Sequence, residues 1–191
     1  MGRERKFNTV DLFVSAKKLI IQTGYEGFTI GQLAAELNVS RAAIYKYYRN
    51  KDELLLDLML EEMKNTLSSF SSIPKEMPFL EKIDLLLQKI FQYKDLHLIL
   101  GIQGLINTKD APLLEEKQNH LSQMHHELYK PLFHMVQQGK TDGYIDMDLP
   151  NELLIGFIFQ SISIPNHSGM ASEKVLEHTK KMILNGIIKN K

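Results

Sequence analysis

TIGQLAAELNVSRAAIYKYYRNK, residues Thr29–Lys51, is the stretch that decides the fold. Thr29 is a good N-cap, and Gln32 stands three residues on, where its side chain can complete a capping box. Leu33, Ala34 and Leu37 then repeat at helical spacing as an apolar face. Asn38 falls where this helix must stop, a place that commonly takes the left-handed conformation, which Asn tolerates better than a β-branched residue. Val39 turns back toward the core. Ser40 is a second N-cap and opens a short helix over 41–47. Ala34, Ala42 and Ala43 are small, so the two helices can cross closely. The second helix shows Arg41, Tyr45, Lys46 and Tyr47 outward and Ile44 inward. Cationic and aromatic side chains on a short exposed helix suit contact with a major groove and its flanking phosphates.

The flanks sharpen this reading. Gly24–Thr29 (GYEGFT) precede the motif, and Tyr47–Leu55 (YYRNKDELL) follow it. With the Ser-led second helix and its Ile-Tyr-x-Tyr-Tyr run, this ordered set over residues 8–58 resembles the tetracycline-repressor (TetR) family of bacterial transcriptional regulators. The resemblance implies an all-α protein: a helix-turn-helix head over 1–50 and a helical effector-binding and dimerisation body over 51–191. It implies that Arg41, Ala42, Ala43, Lys46 and Tyr47 face the major groove. It also implies that Thr29, Tyr45, Tyr47 and Lys51 hold phosphates. A further contact that the family often makes from its second helix falls here on Gly31, so it must come from the backbone. Few base-reading side chains remain, so part of any specificity would rest on DNA shape.

Bulk composition agrees with a polyanion as partner. Lys+Arg and Asp+Glu are equal at 23 each, so the chain is formally neutral. Residues 1–51 nevertheless carry a net +5, and the remainder −5. Arg3, Arg5 and Lys6 would form an arm along the DNA backbone or in the minor groove. There is no cysteine, which excludes disulfides and thiol chemistry and is compatible with a reducing cytoplasm. No apolar run approaches the roughly 18 residues of a membrane span. Met1-Gly2 invites a myristoylation check, but Lys6 stands where Ser or Thr is wanted. No signal-peptide pattern opens the chain. The expectation is a soluble cytoplasmic protein.

Beyond the head, periodicity predicts six more helices and no strand. They cover about 50–70, 79–93, 96–107, 112–138, 151–162 and 172–188. The fourth helix starts at Asn50 as N-cap with Glu53 in the capping-box position, and joins head to body as a lever. The sixth is apolar nearly all round, which predicts a central buried helix. Pro131 lies inside the seventh and predicts a kink or a break. Gly143 marks a turn in the connector that follows.

Catalytic patterns are missing. Four of the seven histidines lie on the seventh helix (His120, His125, His126, His134), and His126-Glu127 begins like HExxH, but Lys130 replaces the second His. No GxSxG turn or Gly-rich phosphate loop is present, so neither an enzyme, a metal nor a cofactor is expected. Polar groups set among apolar stretches mark a candidate effector pocket: Gln103, Asn107, His125 and Gln160. Phe91, Phe133 and Phe157 are candidate walls. His125 reads equally as a core histidine bonded to a neighbour. Helices eight and nine carry more apolar surface than one chain buries. Phe159, Val175, Thr179 and Ile183 are therefore candidates for a homodimer interface. The function these readings support is operator binding on double-stranded DNA by a homodimer, most simply a repressor released by a small apolar or amphipathic effector. Two rivals are a regulator that answers to a protein partner without any small ligand, and an enzyme that uses the body cavity.

Overall fold

The computed structural model describes residues 7–74, 76–109 and 111–187; the arm of Arg3, Arg5 and Lys6 lies outside them. Among the described residues the chain forms nine α-helices, two short 3-10 turns and no strand. The helices are α1 (Thr9–Gly27), α2 (Ile30–Glu36), α3 (Arg41–Tyr45), α4 (Lys51–Ser71), α5 (Phe79–Gln92), α6 (Lys94–Gly101), α7 (Pro112–Thr141), α8 (Asn151–Gln160) and α9 (Ser172–Ile187). They gather into two compact units. The first holds α1 to α3, α4 as far as Lys64, and Asp95–Gln123; the second holds Asn65–Lys94 and everything from Met124 onward. The first unit thus includes α6 and the start of α7 together with the head.

In the first unit, Leu12, Ala16 and Ile20 of α1 are buried with Phe28, Leu33 and Ile44, which are the side chains the apolar spacing places inside. Gly24 interrupts α1 at φ 67° and ψ 179°, a conformation open only to glycine. Phe28, fully buried, follows directly. Lys17 pairs with Glu62 at 2.7 Å and so ties α1 to α4.

The sixth helix departs from its sequence reading. It ends at Gly101, and only a 3-10 turn at Gln103–Leu105 follows. Leu98 and Leu105 are exposed, so it is not a central buried helix. Two glycines within four residues lower helix propensity at the point where the helix ends. Asn107 then closes a turn, its side-chain oxygen accepting from the Lys109 N–H at 3.0 Å.

In the second unit α5 packs on α9. Phe79, at the start of α5, stacks on Tyr144 with centroids 5.1 Å apart. Gly139 of α7 lies beneath that ring, where a Cβ would fall 2.5 Å from it, so only glycine allows the approach. The turn at Gly143 is present at φ 75°. The connector behind it is held by the buried Lys140, whose ammonium donates to the carbonyls of Met147 and Leu149. α7 runs through Pro131 without a break. Pro131 has no N–H to give the carbonyl of Glu127, so the helix loses one bond there.

Candidate functional site

The helix-turn-helix is fixed by its caps. The Thr29 hydroxyl accepts from the Gln32 N–H at 3.2 Å, and the Gln32 side chain accepts from the Thr29 N–H at 2.9 Å, a complete capping box. Asn38 takes φ 52°, the turn between the helices. The Ser40 hydroxyl accepts from the Ala43 N–H at 3.2 Å and starts α3. α3 ends at Tyr45, with Lys46 as its C-cap, so Lys46 and Tyr47 leave the helix in its final turn and do not lie within it.

Arg41, Ala42, Tyr45, Lys46 and Tyr47 are exposed. Ala43 is not: with Ile44 it is buried on the inner face of α3, and its N–H is spent on the Ser40 cap. The resemblance placed Ala43 toward DNA, and the geometry corrects this. Lys17 and Lys18 each pair with a glutamate, at 2.7 Å in both cases, whereas Arg41, Lys46 and Arg49 have no salt bridge to a described residue. The cations without an acidic partner are thus those in and after α3. Tyr47 meets Phe7 edge-on at 5.7 Å, which orients its ring. Gly31 sits beside Arg41, whose Cδ lies 3.7 Å from where a Cβ would be, so the start of α2 and the start of α3 form one surface.

Behind α3 lies a network that sequence reading missed. Asn50 Oδ1 accepts from the Glu53 N–H at 2.8 Å, as its position predicts. The Glu53 carboxylate, however, accepts from Arg49 N–H at 2.8 Å, one residue ahead of the expected N-cap. Lys117 of α7 sits 2.7 Å from Asp57 and 3.8 Å from Glu53. Lys51 Nζ donates to the Tyr25 carbonyl at 2.8 Å and lies 3.9 Å above the Tyr25 ring. The Tyr25 hydroxyl donates to Asp52 at 2.8 Å. Desolvation, then the bond to Asp52, pushes the Tyr25 phenol up to about 12. Sequence spacing could have suggested the Glu53 cap; nothing in it joins Lys117 to residues 60 positions earlier.

The second unit holds a cleft of about 550 Å³, within the size of small-molecule sites. Its walls come from the end of α4 (Phe70, Ser71), the turn behind it (Ile73, Pro74), α5 (Lys82, Leu86) and the later part of α7 (Lys130 to Gln138, Pro131 included). None of the seven sequence-derived pocket candidates lines it. Gln103 and Asn107 lie in the first unit, where α6 has unwound. His125, Phe133, Phe157 and Gln160 are exposed, and Phe91 is half-buried outside the cleft. His125 is neither a core histidine nor a cleft residue. It packs edge-on against Tyr129 at 5.1 Å, and Tyr129 in turn meets Phe159 at 5.4 Å. Burial raises the Tyr129 phenol above its usual range.

The interface candidates also divide. Thr179 and Ile183 are buried within the chain, Ile183 to 1% exposure, because α9 turns this face inward. They belong to the protomer's own core. Val175 and Phe159 are half-buried. The apolar side chains left outside are Leu153 (65% exposed), Phe157 (54%) and Met182 (60%).

A twice-capped helix-turn-helix with unpaired cations on its outer helix, followed by an all-helical body, defines a DNA-binding regulator. Residues 12–58 match the family model for bacterial regulatory proteins of the tetR family. The chain is similar to the fatty acid metabolism regulator protein of Bacillus subtilis, with 22% identity over 172 residues and 84% of each chain covered. In fold it is similar to the ketosteroid transcriptional regulator KstR2 of Mycobacterium tuberculosis, with TM-score 0.77, 16% identity, and 100% and 98% of the two chains covered. It is similar too to FadR from Bacillus subtilis, solved in complex with stearoyl-CoA, with TM-score 0.65, 20% identity, and 94% and 100% covered. The chain belongs to the TetR family of transcriptional regulators and is not an enzyme. No helix among the described residues is long and apolar enough to cross a membrane.

Proposed function

We propose that the protein is a homodimeric repressor that binds an operator in double-stranded DNA and is released by a small effector in the cleft. The observation that carries the DNA contact is the surface of α3, where Arg41, Tyr45, Lys46 and Tyr47 stand exposed on a helix fixed at both ends. In this reading Arg41, Ala42, Lys46 and Tyr47 face the groove. Thr29, the Gly31 N–H, Tyr45 and Lys51 meet phosphates. A DNA partner places the protein in the cytoplasm.

The cleft and the relatives support the effector. One relative is named a fatty acid metabolism regulator, and another was solved with stearoyl-CoA bound. The two helices that line the cleft, α4 and α7, both continue into the unit that holds the head. There Lys117 of α7 grips Glu53 and Asp57 of α4. A ligand that moves either helix would thus reach the segment that follows α3. A regulator without a small ligand is the weaker reading, because it leaves an apolar cleft unused. Leu153, Phe157 and Met182 support pairing with a second copy through α8 and α9, since apolar side chains this exposed are costly in a monomer.

Operator affinity measured by fluorescence anisotropy, with and without compounds from a thermal-shift screen, tests this reading. A releasing compound should weaken DNA binding about 100-fold, a coupling of about 2.7 kcal/mol, and DNA should weaken the compound by the same factor. Compounds that bind and leave DNA affinity unchanged would contradict it.

A further inference from the structure

The cleft is not uniformly apolar. Phe70, Leu86, Leu132 and Met135 furnish a greasy wall, but Lys82, Lys130, His134 and Gln138 border the same space. No aspartate or glutamate is among the described residues that line it. Lys82 is the informative one. It is 7% exposed, and its ammonium donates to Gln138 Oε1 at 3.0 Å. Lysines are almost never this buried without a group to hold the charge, and an amide oxygen is a neutral acceptor. A carboxylate or phosphate placed there would form a charge-assisted bond, roughly twice as strong as a neutral one. A cationic ligand would instead face two lysines.

We infer that the cleft takes an amphipathic acid, with one anionic head at Lys82 and Gln138 and an apolar tail along Phe70, Leu86, Leu132 and Met135. This rests on the effector reading above and decides its charge. Lys82 is the specificity-determining residue, and Lys130 and His134 sit at the same mouth. A free carboxylic acid and an acyl thioester on a phosphate-bearing carrier share this chemistry.

Calorimetry with decanoate, decanol and decanoyl-CoA on the full chain tests it. Decanoate or decanoyl-CoA should bind at least 10-fold more tightly than decanol. If only the thioester binds, the carrier phosphates supply the head. In either case Lys82→Met should abolish the preference and Lys82→Arg should keep it. Gln138→Glu, at an exposed position, puts a fixed carboxylate on Lys82. It should weaken the acid at least 10-fold and leave decanol unchanged, whether or not Lys82→Met folds. Decanol binding as tightly as the acids, or an acid preference that survives Gln138→Glu, would overturn the inference. A neutral compound that binds and releases DNA would overturn it too, and leave the effector reading standing. If no compound of any class binds, both fall.

Discussion

Two exposed lysines near α3 have different jobs in this account, and their replacements should read differently. Lys46 stands at the end of α3 with no described acidic partner. Lys46→Ala should cost about 1–3 kcal/mol of operator binding and relax preference at one position. Lys51 is already held by the Tyr25 carbonyl, which keeps it from reaching a base. Lys51→Ala should weaken all sequences alike and lower the salt slope by about one, measured by anisotropy across a salt series. Tyr25 adds a pH signature. Its phenol ordinarily titrates near 10 and is raised to about 12. Below pH 10 both folded and unfolded forms keep the proton, and the stabilisation is complete. Between 10 and 12 only the unfolded chain loses it, so stability falls as pH rises. Tyr25→Phe should flatten that fall in denaturant titrations at pH 9 to 12. Gly139→Ala should destabilise the fold by about 1–3 kcal/mol in urea melts, because its Cβ would strike the Phe79 ring. The caps at Thr29, Asn38 and Ser40 were legible in the sequence because each acts on neighbours within three residues. Ala43 was misread because a small apolar residue on a short helix fits either face. Lys82 and Lys117 were invisible, since their partners lie far along the chain.

Among the elements, those with strong local punctuation were read well, and those that depend on tertiary packing were not. α2, α4 and α7 begin within a residue of where their caps or prolines place them. α6 was read as one long buried helix because its apolar residues surround the axis. Its glycines, weighed as packing aids, instead mark where it ends. α9 shows the same lesson for assembly. Amphipathic spacing identifies the stripe of Val175, Thr179 and Ile183 but not which body it meets, and here it meets α5 of the same chain. The two faces make separable predictions. Ile183→Asp should unfold the protein or lower its stability by several kcal/mol, since it buries a charge at a fully enclosed site. Phe157→Asp and Met182→Asp should leave the melting temperature of the protomer nearly unchanged and shift sedimentation from dimer to monomer. A wild-type protein that sediments as a monomer at micromolar concentration would remove the dimer from the account.

For the whole molecule, the neutral total conceals a basic head, and structure narrows it further: the lysines of α1 are neutralised by glutamates, so Arg41, Lys46 and Arg49 remain to meet DNA. This is why the class of function was readable from 51 residues while the effector site was not. DNA contact is local to one motif, whereas the cleft is assembled from α4, α5 and α7, segments up to 68 residues apart. The central claim is that this head reads a DNA sequence as a pair. Selection from a randomised duplex pool by the wild-type protein tests it most directly. The result expected is one enriched, pseudo-palindromic site whose half-sites lie about one helical turn, roughly 10 base pairs, or a multiple of it apart, with enrichment lost for Lys46→Ala. A pool that shows no enriched sequence after repeated rounds with folded wild-type protein, or one equally enriched by Lys46→Ala, would contradict it.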